Sequence, residues 1–171
     1  MQGYVQVYTG DGKGKTTAAL GLAMRAAGAG LNVFFGQFIK SMEYSEINAL
    51  ERFSDRITLR QFGRGCFIRS NPCQADKDAA KKALDAIGAA LRSGSYEVVI
   101  ADEANMAYQC RVVTEDDLLA LIAARPENVE LVLTGRGAPP AVIERADLVT
   151  EMKAVKHYYQ KGVRAREGIE K

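Results

Sequence analysis

Tryptophan is absent from this chain of 171 residues, histidine occurs once, at position 157, and cysteine only three times. Each scarcity removes a class of chemistry. Cys66, Cys73 and Cys110 are widely spaced and His157 lies far along the chain, so the usual four-ligand zinc spacings cannot be written. Three cysteines in a chain large enough to fold unaided read as thiols of a reducing compartment. Long apolar runs are also missing, since nothing approaches the ~20 residues that a spanning helix requires. Met1-Gln2-Gly3-Tyr4-Val5 leads directly into a strand pattern, without a basic leader or a small-residue cleavage site. These features predict a soluble, cytoplasmic protein with no membrane partner. A surplus of one charge sign is lacking as well: 23 basic and 21 acidic residues leave a net charge of +2. Bulk charge therefore does not advertise nucleic acid as a partner, and any polyanion must be small and locally held. Internal repeats and low-complexity tracts are absent.

What is present has the balance of one globular domain over residues 1–171, with 47% hydrophobic and 26% charged residues. Strand and helix patterns alternate. Val5 to Tyr8 and Asn32 to Phe38 read as strands, separated by an Ala- and Leu-rich helix from Lys15 to Ala29 that closes at Gly28 and Gly30. Arg56 to Arg60 is a short strand, and Asp76 to Leu91 carries apolar residues at helical spacing. Two apolar, β-branched runs follow, Glu97 to Ala101 and Val129 to Leu133, with a helix from Thr114 to Ala124 between them. Thr114 and Asp117 form a capping pair at its start. Such runs look buried on both faces, as central parallel strands are. The pattern predicts an α/β fold of the P-loop NTPase type, RecA-like, with helices on both faces of a mostly parallel sheet. The basic, Gly-punctuated tail from Lys153 to Lys171 shows no periodicity.

The sharpest local signal is the first turn from strand to helix, Gly10-Asp11-Gly12-Lys13-Gly14-Lys15-Thr16-Thr17. A phosphate cradle needs glycines, so that consecutive N–H groups are exposed, and a helix N-terminus that favours negative charge. Lys15 adds a mobile cation and Thr16 a hydroxyl for Mg²⁺. The loop is a variant, because Thr9 stands where the first glycine of the usual G-x-x-x-x-G-K-[ST] spacing falls. Its expected ligand is the triphosphate of ATP. A second element supports it: the apolar strand Val98 to Ala101 ends in Asp102-Glu103, and acids at the carboxyl end of a strand reach a phosphate-bound metal.

These motifs, with others in the same order, resemble the P-loop family of ATP:corrinoid adenosyltransferases, which make adenosylcobalamin. Thr9 to Ala19 is similar to the family's phosphate loop, and Gln37-Phe38-Ile39-Lys40 to the segment after its second strand. Asp102-Glu103 matches the acidic strand end, Thr134-Gly135-Arg136-Gly137 the loop after the next strand, and Ala146 to Met152 the run before the tail. Val155-Lys156-His157 and Gly162 to Glu170 resemble the C-terminal signature. The resemblance implies transfer of the 5′-deoxyadenosyl group of ATP to the Co(I) of a corrinoid such as cobalamin, with release of triphosphate. The substrate's cobalt is then the nucleophile, and the protein contributes positioning and electrostatic stabilisation of the leaving group. Lys13, Lys15 and the loop N–H groups would neutralise the triphosphate. Thr16 and Glu103, with Asp102 in support, would hold Mg²⁺, or Mn²⁺ in its place. Arg25 and Arg136 match nucleotide-side positions.

For the corrinoid, the resemblance points to Gln61 to Asn71, where the family keeps the lower axial ligand off cobalt with apolar side chains. Cys66 and Ile68 stand where the enteric form has a Phe and a Trp, and Phe62 and Phe67 are the nearest aromatic substitutes. Asp11 replaces the family's common Asn, a negative charge that must face away from the phosphates or bind metal. Some members cap the site with an N-terminal extension, and the expectation here is that any such cap comes from elsewhere. The resemblance further implies a flavoprotein electron donor and a homodimer. Two other readings remain open on the motifs: a P-loop nucleoside or small-molecule kinase, and a module whose ATP or corrinoid occupancy regulates a partner. The zinc lasso of thymidine kinase relatives would require a fourth cysteine.

Overall fold

The computed structural model describes residues 1–40, 45–64 and 71–170. The chain begins with β1 (Val5–Thr9), α1 (Lys15–Gly28) and β2 (Val33–Gln37), followed by the short α2 (Ser45–Leu50). Next come β3 (Ile57–Gln61), the long α3 (Gln74–Arg92), β4 (Val98–Asp102) and α4 (Ala104–Gln109). The order then runs through α5 (Glu115–Ala124), β5 (Glu130–Thr134), α6 (Pro140–Arg145) and β6 (Leu148–Glu151). The described strands form one sheet in the order β3-β2-β4-β5-β1-β6, and every pairing is parallel.

Parallel pairing puts all the carboxyl ends on one edge, and burial on both faces explains the β-branched runs. Side chains alternate accordingly. Val5, Val7, Val99, Ala101, Leu131 and Leu133 face a core shared with α3 and α5. Val33, Phe35, Val98, Ile100 and Val132 face a second core beneath α1. α1 approaches through Ala19, Ala23 and Ala26, small residues at helical spacing that let its backbone lie close to the sheet. It ends as the sequence predicts: Leu31 N–H donates to Ala26 O at 3.0 Å and Gly30 N–H to Ala27 O at 2.9 Å, with Gly30 at φ 82°. That is the paired closure which a left-handed glycine permits. The Thr114–Asp117 cap is also formed, each side chain accepting the other residue's N–H.

Three helices and one strand go beyond the sequence reading. α2, α4 and α6 are six residues each, too short for a helical period to declare itself. β6 is exposed along its whole length and pairs only with β1, so it lacks the continuous apolar signature of the central strands. The tail holds a short 3₁₀ turn, Tyr158–Lys161. Cys73 and Cys110 are free thiols; Cys66 lies outside the described residues.

Candidate active site at the carboxyl edge of the sheet

The sheet register builds the site. Gln61 pairs with Gln37, Gln37 pairs with Asp102, and Asp102 comes one residue beyond the Ala101–Leu133 pair, level with Thr134. A row of polar side chains thus crosses the carboxyl edge of β3, β2, β4 and β5. Gln61 Nε2 donates to Gln37 Oε1 at 3.0 Å, and Gln37 Nε2 donates to Asp102 Oδ2 at 3.0 Å. Gln37, Asp102 and Thr134 are wholly buried.

Asp102 is the hub. Its Oδ1 accepts from the hydroxyls of Thr16 at 2.9 Å and Thr134 at 2.6 Å, and its Oδ2 accepts from Gln37 and from Lys40 Nζ, the latter at 3.1 Å. Four donors satisfy a carboxylate's capacity, so this group can be buried as an anion. Lys40 Nζ also lies 3.1 Å from Thr16 Oγ1. Burial acts to lower the Lys40 pKa, but Asp102 and Glu103 outweigh it and raise the value above the ordinary one.

Glu103 follows at φ 59°, a left-handed conformation that costs a non-glycine residue energy. Its backbone N–H is held by Thr134 Oγ1 at 3.0 Å, and its carboxylate has no hydrogen-bond or salt-bridge partner among the described residues. Burial, then the Asp102 charge, pushes its pKa up, against the pull of Lys40, Lys15 and Arg136. A strained residue with a partly desolvated carboxylate marks Glu103 as a candidate ligand position.

The phosphate loop lies beside this row. Lys15, 8% exposed, turns its ammonium back onto Gly10 O and Gly12 O, both at 2.7 Å. Burial and neighbouring Arg136 depress its pKa, partly offset by Glu103, Asp11 and Asp102. Asp11 and Thr17 are exposed at the loop surface, so the Asp11 side chain reaches water. Gly14 has φ 124°. Gly10 and Gly12 have a further task. A Cβ on Gly10 would lie 2.5 Å from Met152 O, and one on Gly12 would lie 2.7 Å from the same atom. Gly12 N–H donates to Met152 O at 2.6 Å, and Met152 N–H donates to Thr9 O at 2.9 Å. The chain leaving β6 is clasped against the loop.

The remaining predicted residues separate. Lys13 points away from the loop interior to the tail, donating to Glu170 Oε1 and Ile169 O, both at 2.8 Å, and to Tyr158 OH at 3.2 Å. Arg166, Lys13 and Tyr158 hold the Glu170 carboxyl far below its usual range. Arg25 is exposed in the last turn of α1, away from the phosphate loop, where its charge acts on Tyr8. Arg136 is exposed in the loop after β5, close enough to act on Lys15 and Glu103. Phe62 is partly buried against the α3 core, beside Phe38 and Val112. Phe67 and Ile68, and most of the Gln61 to Asn71 segment, lie outside the described residues.

Gln37, Lys40 and Thr134 were missed as site residues, as was buried Asn105, whose Oδ1 has no partner among the described residues. The signal was available in three of them: a polar residue at or just beyond the carboxyl end of an apolar parallel strand. A hard-oxygen donor set of Thr16, Glu103 and Asp102 suits Mg²⁺.

A family model described as ATP:corrinoid adenosyltransferase BtuR/CobO/CobP matches residues 1–170. The chain belongs to that family. It is 36% identical to a corrinoid adenosyltransferase of Pseudomonas aeruginosa, over 99% of this chain and 84% of that protein. A corrinoid adenosyltransferase of Sinorhizobium is 33% identical over 99% of this chain and 80% of its own length. Corrinoid adenosyltransferase CobA of Salmonella typhimurium is 32% identical, over 99% and 86% respectively. The match runs through the tail, which the structure ties to the phosphate loop. No helix among the described residues is long and apolar enough to cross a membrane.

Proposed function

We propose that this chain, acting as one nucleotide-binding domain in the cytoplasm, transfers the 5′-deoxyadenosyl group of ATP to the Co(I) of a reduced corrinoid. The electron pair on Co(I) attacks C5′, the cobalt–carbon bond forms, and the C5′–oxygen bond breaks with its electrons leaving on triphosphate. No side chain has to supply a nucleophile or a general base. The residues bind, orient and neutralise.

Lys15 would exchange its two loop carbonyls for phosphate oxygens, and the N–H groups at the start of α1 would face the same anion. Asp102 keeps the Thr16 hydroxyl aimed, while Glu103 offers the free carboxylate. Mg²⁺ held by Thr16 and Glu103 would offset the negative charge that grows on the leaving triphosphate. Arg136 stands beside Lys15 and Glu103 as a further cation; Lys13 would join it by leaving Glu170, and Arg25, in the last turn of α1, rests on the resemblance alone. On the corrinoid side the resemblance assigns Phe62, Phe67 and Ile68 to the apolar wall that would keep water and the lower ligand from cobalt; Phe67 and Ile68 lie outside the described residues. A flavoprotein supplies the electron, and the active form is a homodimer.

The observation that carries this reading is the Lys13–Glu170 pair, which makes the family's C-terminal run part of the phosphate-loop neighbourhood. A generic kinase has no use for that tail. The test is an anaerobic assay with ATP and chemically reduced cob(I)alamin, following formation of a light-sensitive cobalt–carbon bond and the phosphate product. Triphosphate is expected. Diphosphate, with no cobalt–carbon bond, would reassign the chain to phosphoryl transfer.

A further inference from the structure

Lys40 brings a positive charge among the oxygens of the site. Its ammonium is 3.1 Å from both Thr16 Oγ1 and Asp102 Oδ2, the two oxygens that flank the expected metal position. A threonine hydroxyl has one hydrogen and two lone pairs. The hydrogen goes to Asp102 Oδ1, so the oxygen's accepting side faces Lys40. A metal ion would use that same accepting side.

We propose that Lys40 is the resident cation of the unliganded metal position, and that it exchanges for the divalent ion when the metal–nucleotide complex binds. The inference rests on the reading that Thr16 and Glu103 hold the metal. A Mg²⁺–oxygen bond is about 2.1 Å, so an ion on the other lone pair of Thr16 Oγ1 would stand within a few ångströms of the Lys40 ammonium, in a partly buried site where like charges repel strongly. The two cations compete through charge. Until the metal arrives, Lys40 supplies the counter-charge that a wholly buried Asp102 requires.

The backbone is built for a side-chain exchange about a fixed point. Gly63 N–H donates to Lys40 O at 3.0 Å, and a Cβ at Gly63 would lie 2.6 Å from the Lys40 carbonyl carbon. Phe62 N–H donates to Gln37 O at 2.9 Å and Phe38 N–H to Asp102 O at 3.0 Å, which fixes the chain on either side. The flexible four-carbon stem of a lysine can then swing while its Cα stays in place. Lysine suits the task better than arginine, whose planar fork would grip the carboxylate in two places.

The experiment measures metal binding without turnover. Free Mn²⁺ is followed by electron paramagnetic resonance during titration of wild type, Lys40→Met and Lys40→Gln, each with and without a non-hydrolysable ATP analogue and without corrinoid. Lys40→Gln keeps a neutral donor towards Asp102 in case the methionine variant folds poorly, and circular dichroism reports folding. Without nucleotide, removing the ammonium should tighten Mn²⁺ binding by about tenfold to a hundredfold, what one charge-assisted hydrogen bond is worth. With the analogue present the gain should be smaller than without it, because the complex supplies most of the metal's ligands. Equal or weaker Mn²⁺ binding by the folded variants would overturn the exchange. Glu103→Gln in both backgrounds separates the two ideas: if it leaves Mn²⁺ affinity unchanged, the metal-site reading itself is wrong. If Glu103→Gln weakens Mn²⁺ binding while the Lys40 variants do not tighten it, only the exchange is lost.

Discussion

Replacing Asp102 by asparagine should destabilise the protein even when no nucleotide or metal is present. The carboxylate is wholly buried and accepts from Thr16, Thr134, Gln37 and Lys40. An asparagine has one acceptor oxygen and one donor group. If its oxygen faces the hydroxyls, its NH₂ meets Lys40, an obligatory donor, and Gln37, which can accept only by flipping its amide and giving up the bond from Gln61. If it is flipped, the NH₂ meets Thr134 Oγ1, which already accepts the Glu103 N–H at 3.0 Å. In both orientations Lys40, with 17% of its side chain exposed, loses the charge of Asp102, the carboxylate it touches, while the more distant Glu103 and Glu46 remain. Removing one partner of a buried pair costs roughly 3 to 5 kcal/mol, and the partial exposure of Lys40 places this case near the lower figure. For a chain of this size that corresponds to a fall of about 6 to 12 °C in Tm. The assay is thermal and urea unfolding in EDTA without nucleotide, so that ligand binding cannot mask the loss. Adding Lys40→Met should recover part of it, with a coupling energy on the order of 1 to 3 kcal/mol in the double-mutant cycle. If Asp102→Asn unfolds within about 1 kcal/mol of wild type, the aspartate is only a metal ligand and the hub has no structural role.

Lys15→Ala should abolish adenosyl transfer and weaken ATP binding by roughly 1.5 to 3 kcal/mol, the value of one charge-assisted contact, as read by calorimetric titration. Unchanged affinity would mean that the ammonium stays on the loop carbonyls. Glu170→Gln should loosen the tail, seen as lower hydrogen-exchange protection of the Arg166 amide, which the carboxylate accepts at 2.9 Å. Because the Glu170 pKa is depressed, the carboxylate's contribution is complete above the ordinary glutamate range and is lost only as pH falls through the lowered folded value. Wild-type protection should therefore be the same at pH 5 and pH 8, and a loss by pH 5 would show that the pair is not intact.

Much of the fold was legible because central parallel strands and long helices carry strong periods. Val98 to Ala101 could only be a buried strand, and Asp76 to Leu91 only a helix. The exposed β6 and the six-residue helices gave no such period, since they owe their shape to what they pack against. The site divides along the same line. Thr16, Lys15, Asp102 and Glu103 stand at the ends of recognisable elements, and the register brings them together. For Lys40 and Thr134, what strand order adds is their partner: β4 lies between β2 and β5, which sets both of them against Asp102. Lys13 carries two readings. Its place in the loop suggests a phosphate contact, and the fold also pairs it with Glu170 of the tail, a partner that no local pattern in the sequence announces.

The loop glycines pose a sharper question, because the sequence assigned them to the phosphate and the structure also assigns them to the protein. If Gly12 served only to expose its N–H, Gly12→Ala would fold normally and lose nucleotide affinity. The contacts argue otherwise. An added Cβ would lie 2.7 Å from Met152 O, 2.8 Å from the Lys153 carbonyl carbon and 2.9 Å from Lys153 O, all backbone atoms that follow an edge strand paired to β1. Relief requires β6 to move away, which also breaks the 2.6 Å bond from Gly12 N–H to Met152 O. Overpacking of this kind costs about 1 to 3 kcal/mol, so Gly12→Ala should destabilise the unliganded protein and expose the tail that β6 feeds. Gly21 provides the control: it lies within α1, where a Cβ meets nothing within 4 Å. Gly21→Ala should raise stability by roughly 0.5 to 1 kcal/mol through helix propensity. Urea unfolding of the two variants without ligand decides the matter. A Gly12→Ala protein as stable as wild type would return the glycine to the phosphate alone, and the clasp between loop and β6 would then be a contact without energetic weight.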